Sequence, residues 1–113
     1  MKPARLIFLL ALGACAGGSE LPSARDSSGH IVLPSECSPT ALAATPAVLI
    51  RASRDNPMMK GKDGLSIPDG KGGGIIWVRD DLAGWYLADV IDHEKCHLRW
   101  ALLYPETRGQ FHR

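Results

Sequence analysis

The chain has 113 residues, 45% apolar and 22% charged, a balance that suits one folded domain and excludes disorder throughout. Thirteen basic residues against twelve acidic ones give a net charge of +1, so there is no strongly basic surface to hold nucleic acid. Most of the 12 Gly and 8 Pro precede residue 75, and the packed part must therefore draw on the last forty residues.

The N-terminus carries Lys2 and Arg5, the apolar run Leu6 to Leu12 and then Gly13-Ala14-Cys15, the order of a secretory signal: basic, apolar, small. Seven helical residues cover about 10 Å, against a hydrocarbon core of about 30 Å, so this run is too short to span a membrane. Leu12-Gly13-Ala14-Cys15 resembles a bacterial lipobox. That resemblance implies a signal peptide over 1–14, a lipidated Cys15 and attachment to the membrane by acyl chains, each buried CH₂ contributing about 0.8 kcal/mol. Ala16 in place of Asp implies, on the same resemblance, an outer-membrane location facing the periplasm. The alternative is a plain secretory signal cut after Ala14 or Ala16. Loss of residues 1–14 takes away Lys2 and Arg5 and leaves a net charge of −1.

Export leaves Cys37 and Cys96 as a pair of thiols in an oxidising compartment, where such a pair tends to be joined. A bridge would close a loop of about sixty residues and contribute a few kcal/mol. Two free thiols, or Cys96 as a metal ligand, are the competing possibilities.

Residues 15–29 are rich in Gly and Ser without apolar periodicity and predict a tether. His30 to Leu33, stopped by Pro34, is a short strand candidate; Thr40 to Ala44 allow one helical turn; Ala47 to Arg51 form a second strand candidate behind Pro46. Between residues 52 and 74, Asn56-Pro57, Asp63-Gly64, Pro68-Asp69-Gly70 and Gly72-Gly73-Gly74 are turn signals dense enough to predict a long loop. The Gly-rich stretch lacks the Gly-Lys-Ser/Thr ending of a phosphate-binding loop. Ile75 to Val78 is the strongest strand signal in the chain. From an N-cap at Asp80 or Asp81 the pattern turns helical and runs to about Tyr104, where Pro105 disfavours continuation.

At about 100° per residue, Val90, Ala101, Leu87, Leu98, Ile91 and Leu102 form one apolar arc, while Asp92, Lys95 and Arg99 lie opposite. Glu94 falls in the middle of that arc, with His97 and His93 on its border. A carboxylate so placed needs a compensating positive charge. The two His, one turn apart, can reach a single divalent ion that would supply it.

Residues 93–97 read His-Glu-Lys-Cys-His and resemble the zincin metallopeptidases, whose His-Glu-x-x-His helix binds zinc. The resemblance covers about residues 74–112. The strand and helix candidates together with this resemblance predict a minimal zincin-like α+β domain over 30–113, a short antiparallel or mixed sheet packed on one long C-terminal helix behind an irregular lead-in. The resemblance further implies zinc held by His93 and His97, Glu94 as general base and a peptide or protein substrate at the cell envelope. Ile75 to Val78 would then be the edge strand that pairs with substrate.

A third ligand is needed. The metzincin spacing would place Gly and His at positions 100 and 103, which are Trp100 and Leu103 here, and gluzincins use a Glu on a second helix farther downstream than the sixteen residues after His97. Glu106 lies more than about 10 Å beyond His97 if the helix reaches Tyr104. His112 has about 20 Å of chain after Pro105 in which to double back, with Gly109 for the turn. His112 is the expected third ligand, and Glu106 the alternative if the helix ends early. The fifteen-residue step from His97 to His112 is similar to that of SprT-like metallopeptidases, but Arg113 replaces the Gly that follows their third His. Trp77, Trp85, Tyr86 and Trp100 read as core and His30 as a loop or strand-edge residue. The competing functional class is a non-catalytic envelope lipoprotein whose metal site is structural or absent.

Overall fold

The computed structural model describes residues 25–111; the proposed signal peptide and Cys15 lie outside them, as do His112 and Arg113. The architecture is α+β. A three-stranded mixed sheet, in the order β1-β3-β2, packs on one long helix. β1 is Ala47–Ala52, β2 Gly64–Pro68 and β3 Gly74–Arg79; α1 is Pro39–Ala43 and α2 is Gly84–Leu103. Among the described residues no helix is long and apolar enough to cross a membrane.

β3 lies in the centre, parallel to β1 with Leu49 opposite Ile76, and antiparallel to β2 with Ser66 opposite Ile76. Its expected position as the edge strand is thus corrected: the described edges are β1 and β2. The long loop expected between 52 and 74 is corrected too, since it contains a 3-10 turn at Pro57–Met59 and the whole of β2. Pro68 ends this edge strand, where a missing N–H is tolerated. The Asp69 carboxylate then closes the β2–β3 hairpin by accepting from the N–H groups of Lys71 and Gly73 at 2.6 and 3.2 Å.

The core is aliphatic. Ile76 and Val78 of β3 meet Val90 and Leu98 of α2. Residues directly opposite one another share a face of the sheet, so Gly64 and Ser66 turn toward α2 with Val78 and Ile76. Such small residues let the helix approach β2 closely. The aromatic residues expected in the core lie outside this cluster: Trp77 and Trp100 are half-buried, Tyr86 packs against its edge, and Trp85 is 54% exposed, tilted against His30 at 4.5 Å.

Three local expectations shift by a few residues. α2 begins at Gly84 behind Ala83, with no side-chain cap. Asp81 is instead engaged by Arg79, Nε to Oδ1 at 2.8 Å, and the Asp80 N–H donates to the Ala52 carbonyl, extending the strand pairing. His30 to Leu33 forms no strand beyond a single bridge between Arg25 and Ile31, because the Ile31 N–H is taken by Asp89 of α2 at 3.0 Å. The tether expected through Gly29 gives way from Arg25 to a turn in which Asp26 accepts from the N–H groups of Ser28 and His30.

A second apolar cluster sits on the other side of α2. Cys37, Leu42 and Cys96 are buried together, with Leu33 and Phe111 packed against them, and Cys37 is disulfide-bonded to Cys96. Arg99 donates to the Glu36 carbonyl at 2.7 Å, and Tyr104 to the Glu36 carboxylate at 3.1 Å. The helix is therefore covered on two sides.

Candidate metal centre

The one-turn spacing of His93 and His97 on α2 brings their rings edge to face, with centroids 4.7 Å apart and the two Nε2 atoms at 3.1 Å. Both rings are buried, and Glu94 between them is 0% exposed. The opposite ring nitrogen of His97, Nδ1, lies 2.6 Å from the Gly109 carbonyl. A carbonyl only accepts, so Nδ1 carries a proton, and in the neutral form of the ring the lone pair is then on Nε2, the nitrogen that faces His93. This is how proteins fix the tautomer of a metal-ligating imidazole. For zinc–nitrogen bonds of about 2.0 Å, the edge of a tetrahedron is about 3.3 Å, close to the separation of the two Nε2 atoms. The imidazole pair fits a zinc ion. The same distance also suits an N–H···N hydrogen bond with His93 as donor.

The Gly109 carbonyl arrives by a chain reversal. α2 stops at Leu103, a 3-10 turn spans Pro105–Thr107, and Arg108 and Gly109 adopt φ of 55° and 92°. A Cβ on Gly109 would lie 2.9 Å from the His97 carbonyl oxygen, so both the positive φ and the close approach call for glycine. Phe111 then lies against both rings, its centroid 4.4 Å from His97 and 5.3 Å from His93. The chain thus doubles back at Gly109, while His112 itself lies outside the described residues. Glu106 is exposed on the 3-10 turn and does not join the pair. Among the described residues no group of three or more His, Cys, Asp or Glu is arranged to hold a metal ion. Cys96, bonded to Cys37, offers no thiolate, which removes it as a ligand.

Glu94 faces β2. A Cβ on Gly64 would lie 3.0 Å from its Oε2 and 3.1 Å from its Cγ, so the backbone of the edge strand forms one wall of the carboxylate's pocket. Ionising a carboxylate at this depth requires nearby positive charge, which a divalent cation at the imidazoles would provide. Gly64, the Gly109 carbonyl and Phe111 were not marked by the sequence as parts of this site. At Gly64 and Gly109 the available signal was the glycine itself, a residue type that permits close backbone approach, with Gly109 expected only as a turn; Phe111 carried no signal.

Beside the first turn of α2, Arg79 pairs with Asp63 at 2.9 Å and Tyr86 donates to the other Asp63 oxygen. Burial and the adjacent Asp63 raise the Tyr86 hydroxyl above its usual range, while the Arg79 hydrogen bond lowers Asp81. His30 Nδ1 lies 3.0 Å from Asp89 and is half exposed, a loop residue as expected. These groups hold the N-terminal turn and β2 onto the helix.

No protein-family model, curated protein or solved structure matches this chain.

Proposed function

We propose that the chain is a zinc-dependent metallopeptidase that hydrolyses peptide bonds at the cell envelope, exported and held at the membrane through a lipidated Cys15. The observation that supports this most is the convergence of His93 Nε2 and His97 Nε2 at 3.1 Å, with the His97 tautomer fixed by Gly109 and a buried carboxylate next in sequence. His93 and His97 would hold the ion, with His112 as the proposed third ligand. When bound, zinc supplies Lewis acidity that makes water nucleophilic near neutral pH and polarises a carbonyl. Glu94 takes the proton of the attacking water and returns it to the leaving amine, as general base and then general acid. β2, an edge of the described sheet and the strand against Glu94, takes over from β3 the proposed role of pairing with an extended peptide.

A metal-free or structural role is the second reading, favoured by the fact that the imidazole separation equally suits a direct N–H···N bond. Elemental analysis and a general peptide-hydrolysis assay separate the two. One equivalent of zinc is expected, abolished by His93→Ala, while Glu94→Gln keeps zinc and loses hydrolysis. Zinc without hydrolysis in the wild type favours the structural role, and absence of zinc refutes both metal readings.

A further inference from the structure

A cavity of about 350 Å³ opens on the side of α2 away from the imidazoles, lined by Ile31, Leu33, Leu42 and Cys37, with Asp92 and Lys95 also on its wall. Of the two bridged cysteines Cys37 lies on its wall and is itself buried, 4% exposed. Cys96 is fully buried, between Glu94 and His97 in sequence. The cluster around this bridge includes Phe111, and the same Phe111 ring lies against His97 and His93. Two residues earlier, Gly109 fixes His97 Nδ1. Phe111 of the returning C-terminal segment thus touches both the cluster that contains the disulfide and the imidazole pair.

We propose that Cys37 is a thiol-exchange site and that the Cys37–Cys96 bridge sets the metal affinity of His93 and His97 by holding residues 107–111 in place. The co-reactant class is a dithiol reductant entering the cavity. One of its thiolates attacks Cys37 Sγ, the Cys37–Cys96 bond breaks, and Cys96 leaves with the electron pair and takes a proton. The second thiol of the reductant then displaces Cys37, so that the protein gains two thiols and the reductant ends as a disulfide. With the bridge open, the cluster under Phe111 loosens and the Gly109 carbonyl no longer orients His97. Loss of such outer-shell support weakens metal binding by about 10- to 100-fold.

The metal part of this inference rests on the zinc reading above; the coupling of the bridge to residues 107–111 does not. The test treats the native full chain with a small dithiol and counts alkylated thiols by mass. Zinc affinity in both redox states is then measured by chelator competition, and hydrogen exchange at the Gly109 and Gln110 amides is followed. Expected are reduction without denaturant, a 10- to 100-fold loss of zinc affinity, faster exchange at both amides, and recovery on reoxidation. A Cys37→Ala/Cys96→Ala variant should match the reduced state; should it fail to fold, the reoxidation arm still decides. A bridge that resists reduction until the protein unfolds overturns the proposal, as do unchanged affinity and exchange after reduction. If the oxidised protein binds no zinc, the zinc reading fails alone and amide exchange judges the coupling.

Discussion

Gly64→Ala probes the wall of the proposed general base without touching either imidazole. The added methyl would meet Val90 Cγ1 at 2.9 Å, Glu94 Oε2 at 3.0 Å and Glu94 Cγ at 3.1 Å. Ordinary contacts begin at 3.4 Å, so β2 and α2 must part by about 0.5 Å or the Glu94 side chain must move. Overpacking of this kind destabilises by about 1–3 kcal/mol. Because a catalytic group displaced by about 1 Å can lower a rate about 100-fold, hydrolysis should fall by about one to two orders of magnitude while zinc affinity stays within about twofold. Gly70→Ala is the control. Its Cβ would meet nothing within 4 Å, but φ is +80°, so it should cost about 1 kcal/mol through backbone conformation alone and leave activity unchanged. Urea unfolding, zinc competition and peptide hydrolysis on both variants suffice. A Gly64→Ala protein as stable and active as the wild type would refute the close packing of Glu94 on β2.

Tyr86 holds its proton more tightly when folded, chiefly through burial and then through Asp63. Its stabilising contribution is therefore complete below the unfolded value near pH 10 and is lost as pH rises through the higher folded value. Tyr86→Phe should reduce the drop in urea midpoint between pH 9 and 11.5, with Tyr104, raised by Glu36, supplying the remainder; an unchanged drop would contradict the assignment. Asp89 accepts from the Ile31 N–H and lies against His30, so Asp89→Ala should lower unfolding stability by about 1–3 kcal/mol and Asp89→Asn by less, both read from urea curves. Deleting residues 108–113 removes the Gly109 carbonyl, Phe111 and His112 together. The aliphatic core of Ile76, Val78, Val90 and Leu98 is untouched, so a cooperative transition should persist, weakened by about 2–4 kcal/mol, while zinc retention on dialysis is lost.

The elements legible in the sequence are those whose own residues decide them. Ile75 to Val78 are β-formers behind Gly74, and the period change after Arg79 announces a helix whose end Pro105 marks. β2 was not legible because only Leu65 and Ile67 alternate in it, between turn signals that are genuine. Its pairing with β3 is what makes a strand of five such residues. The helix starts at Gly84 and not behind Asp81 for a related reason: Asp81 has the chemistry of an N-cap, but the guanidinium of Arg79, two residues away, binds it at 2.8 Å.

The site divides in the same way. One turn of helix places His93 and His97 together, and the position of Glu94 within the apolar arc marks it as inward, so these three are local properties of α2. The apolar arc, however, did not coincide with the buried face: Leu102 is 44% exposed, while Cys96 and His93, outside the arc or on its border, are buried. A sheet of three strands is too narrow to cover such an arc, and the cluster around Cys37 together with the returning C-terminal segment covers the flank of Cys96, His93 and His97, which lies outside the apolar arc or on its border. What orients the imidazoles is therefore a carbonyl twelve residues from His97 and a ring seated on a cluster bridged across 59 residues. Backbone carbonyls carry no sequence signature, and a lone Phe near the C-terminus has none either. The candidate centre is marked by five consecutive residues, whereas what surrounds and orients the imidazoles depends on contacts that exist only after the chain has folded back on both sides of α2.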